Sequence, residues 1–349
     1  MVISGASNGR SLWPSLLRML IGLGILWWVF NKIPLDEFKQ SWTAGRTGWP
    51  WLMGGIACTL LGLLAAALRW HILLRAQSVQ LPWSRVFRIS FIGQFFNAFM
   101  PGSCGGDAAR IYCVFKDTSL KRTEAMSTVV VDRGIGLITL VVFACSILLI
   151  SKPAWLHAAW IQPLALLILL GIALTIIAFF AGLHQTVFQH LPPLRRWVKA
   201  GAWGVLLTKI YHAFDGYRQQ HGALSAAVVL SLMNMAGLTL ACYAFGRGLG
   251  IALPIADYYI LFPIITVLSA IPITPGGLGL REGLFAELFV LAGAASAYAV
   301  ALSLLVYGGG LFWSLFGGLL FIGYSARYGH SFRTEWQKLQ AEQADGSQD

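Results

Sequence analysis

"NAFMPGSCGGDAAR", residues 97–110, decides how the chain is to be read. It interrupts a long apolar run with a proline, three glycines, an aspartate and an arginine. Pro101 removes a backbone donor and stops the incoming helix, while the glycines permit a tight reversal with exposed amides. Asp107 then stands where a helix cap belongs, with Arg110 three residues on and on the same face of the outgoing helix. A surface loop could carry such a segment at little cost. At membrane depth, irregular backbone survives only where it is buried in protein or lines a wet cavity.

Composition places the segment in a membrane. The chain has 349 residues, of which 57% are hydrophobic and only 11% charged, and its mean hydropathy is +0.69. A soluble domain of this size needs more charge on its surface, so the chain reads as a polytopic membrane protein. The 25 Lys and Arg outnumber the 14 Asp and Glu, for a net charge of +11. In a membrane protein that excess marks loops facing anionic lipid and argues against nucleic acid as a partner. Cys58, Cys104, Cys113, Cys145 and Cys242 are scattered through apolar segments and read as packing residues, with no disulfide frame. His184 and His190, or His212 and His221, lack metal-ligand spacing, so neither a metal nor a cofactor is expected.

A spanning helix needs about 20 apolar residues at about 1.5 Å each. Six runs qualify: 12–30, 49–68, within 125–150, within 159–181, 224–245 and 297–324. The first reads as a signal anchor. Trp49, Trp51, Trp155 and Trp160 sit at span ends as interfacial anchors. Arg69, Arg75, Arg85 and Arg88 follow the second run without an acidic residue among them. Arg195, Arg196, Lys199, Lys209 and Arg218 crowd the linker 184–221. The excess of basic residues puts the N-terminus, the 69–88 stretch and this linker on the cytoplasmic side. The polar tail 327–349 is expected to be cytoplasmic and mobile. Within the linker, Trp203, Leu206, Leu207, Ile210, Phe214 and Tyr217 fall at helical spacing opposite Lys209, Asp215 and Arg218. Such a helix lies on the membrane surface or packs as a connector, and both readings stand.

Two segments do not fit as simple spans. "WSRVFRISFIGQFFNAFM" leads into the opening motif, and residues 256–294 contain "IPITPGGLGLREGLF". Each is a helix that stops at a Pro-Gly break and is followed by a second helix. Entering from opposite faces, they make every charge assignment agree. The expected fold is therefore an all-α polytopic membrane protein with about six spanning helices and two re-entrant broken helices. The membrane domain covers 1–326, with repeat one at about 49–150 and repeat two, inverted, at about 222–326. Pro101-Gly102 recurs as Pro275-Gly276 after 174 residues (275 − 101). The alternative is two unrelated glycine-rich hairpins.

A helix that begins at such a break points its free N–H groups and positive dipole end into the cavity, where an anion such as lipid phosphate fits. The candidate substrate-binding residues are Asn97, Gly102, Gly105, Gly106, Asp107 and Arg110 at the first break. Thr274, Gly276, Gly277, Arg281 and Glu282 are their counterparts at the second. "VVVDRGIGLITL" adds Asp132 and Arg133, about ten residues and roughly 15 Å into the third span. Charges there are costly and by default functional. Successive helical residues point about 100° apart, so one of the two is expected to meet the first break and the other the Arg281/Glu282 break. A purely structural ion-pair network is the alternative, and the two roles can coexist. Asn97 is expected to serve backbone groups freed at the break.

"FIGQFFNAFMPGSCGGDAARIY", "STVVVDRGIGL" and "IPITPGGLGLREGLF", in this order, resemble the lysylphosphatidylglycerol synthase transmembrane family. That family is the flippase-like membrane part of the bacterial multiple peptide resistance factor and also occurs as stand-alone proteins. The resemblance covers nearly the whole chain and implies a lipid-translocating protein of a bacterial cytoplasmic (inner) membrane, with both termini cytoplasmic. It extends a functional role to Asp107, Arg110, Asp132, Arg133, Arg281 and Glu282. Only the short tail follows the last span, so the soluble aminoacyltransferase domain of the resistance factor is not expected here, nor its reaction.

The expected function is a flippase for a phospholipid or lipid-linked precursor, not an enzyme; a homo-oligomer is compatible with the sequence. No GxxxxGK[ST] loop is present for direct ATP drive. An ion gradient, with Asp132 or Glu282 carrying protons, or the lipid gradient itself would supply it. The alternatives are a membrane-embedded enzyme acting on lipid headgroups, with Asp107, Asp132 and Glu282 as acid or base, and a non-catalytic subunit of a cell-envelope complex.

Overall fold

The computed structural model describes residues 48–99, 105–117, 122–151, 220–269 and 279–345, together with Trp27, Tyr217 and Gly277. Among these the chain forms eight helices and no strand. They are α1 (Trp49–Ala76), α2 (Trp83–Phe99), α3 (Gly105–Asp117), α4 (Arg122–Ser151), α5 (His221–Gly248), α6 (Ile255–Ser269), α7 (Leu280–Leu291) and α8 (Ser296–Asp345). The expected spans at 12–30 and 159–181, the amphipathic stretch from Trp203 to Phe214, and Gly102, Thr274 and Gly276 lie outside the described residues. Four helices are long and apolar enough to cross a membrane: α1, α5, α4 over Met126–Phe143 and α8 over Ser296–Tyr324.

Two expectations about where these helices end are corrected. α1 does not stop before Arg69; it continues to Ala76, because Trp70, Leu73 and Leu74 extend its apolar, fully buried side for two more turns. Arg69 is therefore a buried residue of a membrane helix and not a loop charge, whereas Arg75 closes the last turn, where a cation suits the helix dipole. The polar tail beyond the last span is helical. α8 runs unbroken to Asp345. It propagates from a helix already formed, so no new nucleus is needed, and "EWQKLQAEQAD" is rich in good helix formers.

The helices pair in a pattern that maps onto itself when α1–α4 are exchanged for α5–α8. α1 packs along α5. The hairpin helix α2 packs on α8 as α6 packs on α4, and α3 packs on α4 as α7 packs on α8. α1 and α5 run antiparallel: Gly48 meets Gly248, Gly55 meets Phe245, Gly62 meets Gly237, and Arg69 reaches Ser231. The two units are therefore inverted.

Each unit carries a hairpin. α2 and α3 fold back on one another, with Gly93 against Arg110 and Asn97 against Gly106. α6 and α7 do the same, with Tyr258 and Phe289 rings 5.3 Å apart at one end and Ser269 beside Gly277 at the other. α2 begins where α1 ends, and α6 begins where α5 ends; antiparallel α1 and α5 thus set the two hairpins entering from opposite faces. Gly277 and Gly279 hold left-handed φ values of 73° and 82°, which only glycine adopts cheaply at the second turn.

The largest core cluster joins Phe245, Tyr258, Phe285, Phe289 and their neighbours in the second unit. Leu61, Val229, Met233, Phe312, Leu319 and Ile322 point outward, as side chains in contact with lipid do.

Candidate functional site

Five charged residues from three helices gather beside the first break. Asp132 of α4 is almost fully buried, with 2% of its side chain exposed. Its Oδ1 accepts from Arg69 Nε of α1 at 2.6 Å, and its Oδ2 lies 3.4 Å from Arg110 Nη1 of α3. Arg133 turns to the other charge on α3, its Nε 2.6 Å from Asp107 Oδ2. Arg69 also donates through Nη1 to Ser231 Oγ of α5 at 2.7 Å. Among the described residues, Arg69 and Arg110 thus share the single carboxylate of Asp132, with the Arg133–Asp107 pair beside them.

Arg110 is the least satisfied of the five. Its side chain is 12% exposed, its buried Nε has no hydrogen-bond partner, and the guanidinium lies over the Trp70 ring at 5.3 Å. Its aliphatic stem passes so close to Gly93 that a Cβ there would meet Cγ and Nε at 2.9 Å. Trp70 is in turn held by its indole N–H, which donates to Thr128 Oγ1 at 3.1 Å. Asp107 Oδ1 is a second buried atom without a partner.

The break itself is held by the helix before it. Asn97 Oδ1 accepts the Gly106 N–H at 2.9 Å, capping α3 from α2. Asp107 is not the cap expected of it; it lies inside the first turn of α3, and its carboxylate serves Arg133. Gly106 faces the Gly93 carbonyl so closely that a Cβ there would overlap it, at 2.2 Å. Gly105 opens the helix.

At the second break, Glu282 is completely buried. Its Oε2 accepts the Gly279 N–H at 2.7 Å and caps α7, while its Oε1 takes Arg281 Nη2 at 2.5 Å and Ser303 Oγ at 3.4 Å. Arg281 also donates through Nε to Ser303 at 3.3 Å and stacks over Tyr307 at 4.5 Å. Among the described residues, Arg281 and Glu282 are each other's ion-pair partners.

The expectation that Asp132 and Arg133 would divide between the two breaks is not met. Both go to α3, Asp132 to Arg110 and Arg133 to Asp107. The angle between neighbouring residues is absorbed by two partners on one helix, because opposite charges three residues apart on α3 can take one each. Sequence reasoning missed Arg69, Trp70 and Ser231. The signal for Arg69 was present in "LRWHILL", where apolar residues resume at helical spacing beyond the arginine. Tyr217, just ahead of α5, also fixes this corner: its hydroxyl donates to the Leu73 carbonyl at 2.9 Å, and burial raises its phenol well above the usual range.

Among known proteins, residues 15–317 match the model of the lysylphosphatidylglycerol synthase TM region. A UPF0104 membrane protein of Pyrococcus horikoshii, PH1989, is 25% identical over 317 residues, covering 83% of this chain and 90% of that protein. Two UPF0104 membrane proteins of Methanothermobacter thermautotrophicus are 25% and 22% identical over 261 and 264 residues. These cover 69% and 67% of this chain, and 74% and 73% of the respective relatives. With most of its length matched by that model and its Asp107–Arg133 and Arg110–Asp132 pairs set between membrane helices, this multi-pass membrane protein belongs to the lysylphosphatidylglycerol synthase transmembrane family.

Proposed function

We propose that the protein moves a phosphate-bearing lipid between the two leaflets of its membrane and that Arg110 takes the headgroup phosphate. One observation carries this reading: Arg110 is a buried guanidinium with an unpartnered Nε, and it shares the Asp132 carboxylate with Arg69. An uncompensated cation in an apolar interior is costly unless an anion joins it. The first turn of α3 adds the positive end of a helix next to it. Exposed Arg133 lies nearer to water, which suits a path along which a headgroup enters. Arg75, Arg85 and Arg88 around the start of the first hairpin support a cytoplasmic location for that face, in an inner membrane with both termini inside.

Transport is favoured over headgroup chemistry because two of the three acidic candidates, Asp132 and Glu282, have both oxygens engaged. Asp132 sits between two arginines and Glu282 is held by Arg281, Ser303 and the Gly279 amide.

The test uses phosphatidylcholine vesicles carrying the purified protein and a trace of fluorescent phosphatidylglycerol, with dithionite quenching as the measure of inward and outward movement. Wild type accelerates exchange, and Arg110→Gln slows it by at least about tenfold, the scale of a lost charge-assisted contact. Exchange at wild-type rate in Arg110→Gln, or a chemically altered lipid recovered from the vesicles, overturns the reading.

A further inference from the structure

Asp132 is shared unequally. It holds Arg69 at 2.6 Å and Arg110 at 3.4 Å, the second distance lying beyond the range of a firm charge-assisted bond. The difference follows from how each arginine is seated. Arg69, only 8% exposed, is fixed by Asp132 of α4 and Ser231 of α5. It also packs on Gly136, one turn beyond Asp132, where a Cβ would come within 3.3 Å of its Nη1. Arg110 has the Trp70 face and the distant Asp132 oxygen, and its Nε has nothing. A single carboxylate in an apolar interior compensates one cation well. Here the better-held cation has the first claim on it.

We infer that Arg69 is a positioning residue that keeps Asp132 from neutralising Arg110 and so leaves Arg110 open to one negative charge. This rests on the reading of Arg110 as the phosphate-binding group and adds the residue that keeps it available. Asp107 is taken by Arg133, so among the described residues Arg69 and Arg110 share Asp132, and one positive charge is left for a singly charged phosphodiester. Removing the Arg69 charge frees Asp132 to close on Arg110, and the excess disappears. Removing the Asp132 charge as well restores it. A residue that merely holds helices together makes the opposite prediction, since a second lost contact compounds the first.

The experiment titrates the full-length chain in detergent with dihexanoylphosphatidylglycerol, by calorimetry. Arg69→Gln weakens binding by at least about tenfold, whereas Arg69→Lys, which keeps a charge for Asp132, stays within about threefold of wild type. The double variant Arg69→Gln/Asp132→Asn also returns to within about threefold, and Arg110→Gln abolishes binding in every background. Should Arg69→Gln not survive purification, the double variant, whose buried charge balance equals that of wild type, carries the test with Arg69→Lys. A folded double variant as weak as Arg110→Gln overturns the inference. So does an Arg69→Gln protein that binds like wild type, and either result leaves the role of Arg110 standing. No binding by wild type, or wild-type binding by Arg110→Gln, removes the transport reading and the inference together.

Discussion

Glu282 and Asp132 are both buried carboxylates held by arginine, yet their surroundings assign them different work. Glu282 has both oxygens engaged, one capping α7 through the Gly279 N–H and the other taking Arg281 and Ser303. Glu282→Gln keeps a cap acceptor but leaves Arg281 without its countercharge, and breaking such a pair costs about 3 kcal/mol. Thermal unfolding in detergent should show that loss, while affinity for dihexanoylphosphatidylglycerol stays within about threefold, because the proposed headgroup site is Arg110 in the first cluster. A tenfold loss of affinity in a folded Glu282→Gln protein would contradict this division. At this scale the sequence is legible where a charge interrupts an apolar run. Asp107, Arg110, Asp132, Arg133, Arg281 and Glu282 were all visible for that reason. Arg69 was not, since it stands at the end of the 49–68 run, where a flanking loop charge and an intrahelical one look alike until the residues beyond it are weighed. Partner choice was also out of reach: the hydrogen bonds of Asp132 depend on how α1, α3 and α4 approach one another, which no spacing along one helix encodes.

Several helix contacts in this protein are made through glycine. On α8 a Cβ at Gly317 would lie 2.0 Å from the Phe91 carbonyl of α2, whereas a Cβ at Gly310 would meet nothing within 4 Å. Gly317 therefore lets a membrane helix touch the backbone of the first hairpin, and Gly310 is an open position on the same element. Gly317→Ala should destabilise the fold by about 1–3 kcal/mol through overpacking against a backbone that cannot yield. Gly310→Ala should be neutral or stabilising by up to about 1 kcal/mol from helix propensity. Chemical or thermal unfolding of the two variants side by side measures the difference, and equal effects would remove the contact as the cause. The existence of both hairpins was readable, because Pro-Gly breaks within apolar runs have few other meanings in a membrane. The helical continuation of α8 to Asp345 was not, since polar composition suggested a loose tail and hid good helix formers growing from an existing helix.

Across the whole molecule, a symmetric scaffold carries an asymmetric charge. The inverted units exchange their packing partners one for one, and each hairpin leans on the last helix of the other unit, so the two halves interlock. Among the described residues, the buried arginines Arg69 and Arg110 of the first unit share the single carboxylate of Asp132, while Arg281 and Glu282 of the second unit cancel. The sequence repeat revealed the symmetry through Pro101 and Pro275 but not this imbalance, because the deciding arginine lay outside both motifs. An excess of one charge should select a headgroup of one charge, since each uncompensated charge in the interior costs energy. A phosphodiester lipid carries one, and a phosphate monoester carries close to two above pH 7. In competition at pH 8, wild type should therefore prefer dihexanoylphosphatidylglycerol over dihexanoylphosphatidic acid by about tenfold. Asp107→Asn removes one negative charge beside Arg110 and Arg133, so the preference should narrow or reverse in favour of the phosphate monoester. Asp107 lies at the partly buried edge of the cluster, which lets the variant alter charge without emptying the core. A wild-type protein that favours the doubly charged lipid, or an Asp107→Asn variant with an unchanged ratio, would mean that something other than charge balance sets which headgroup is admitted.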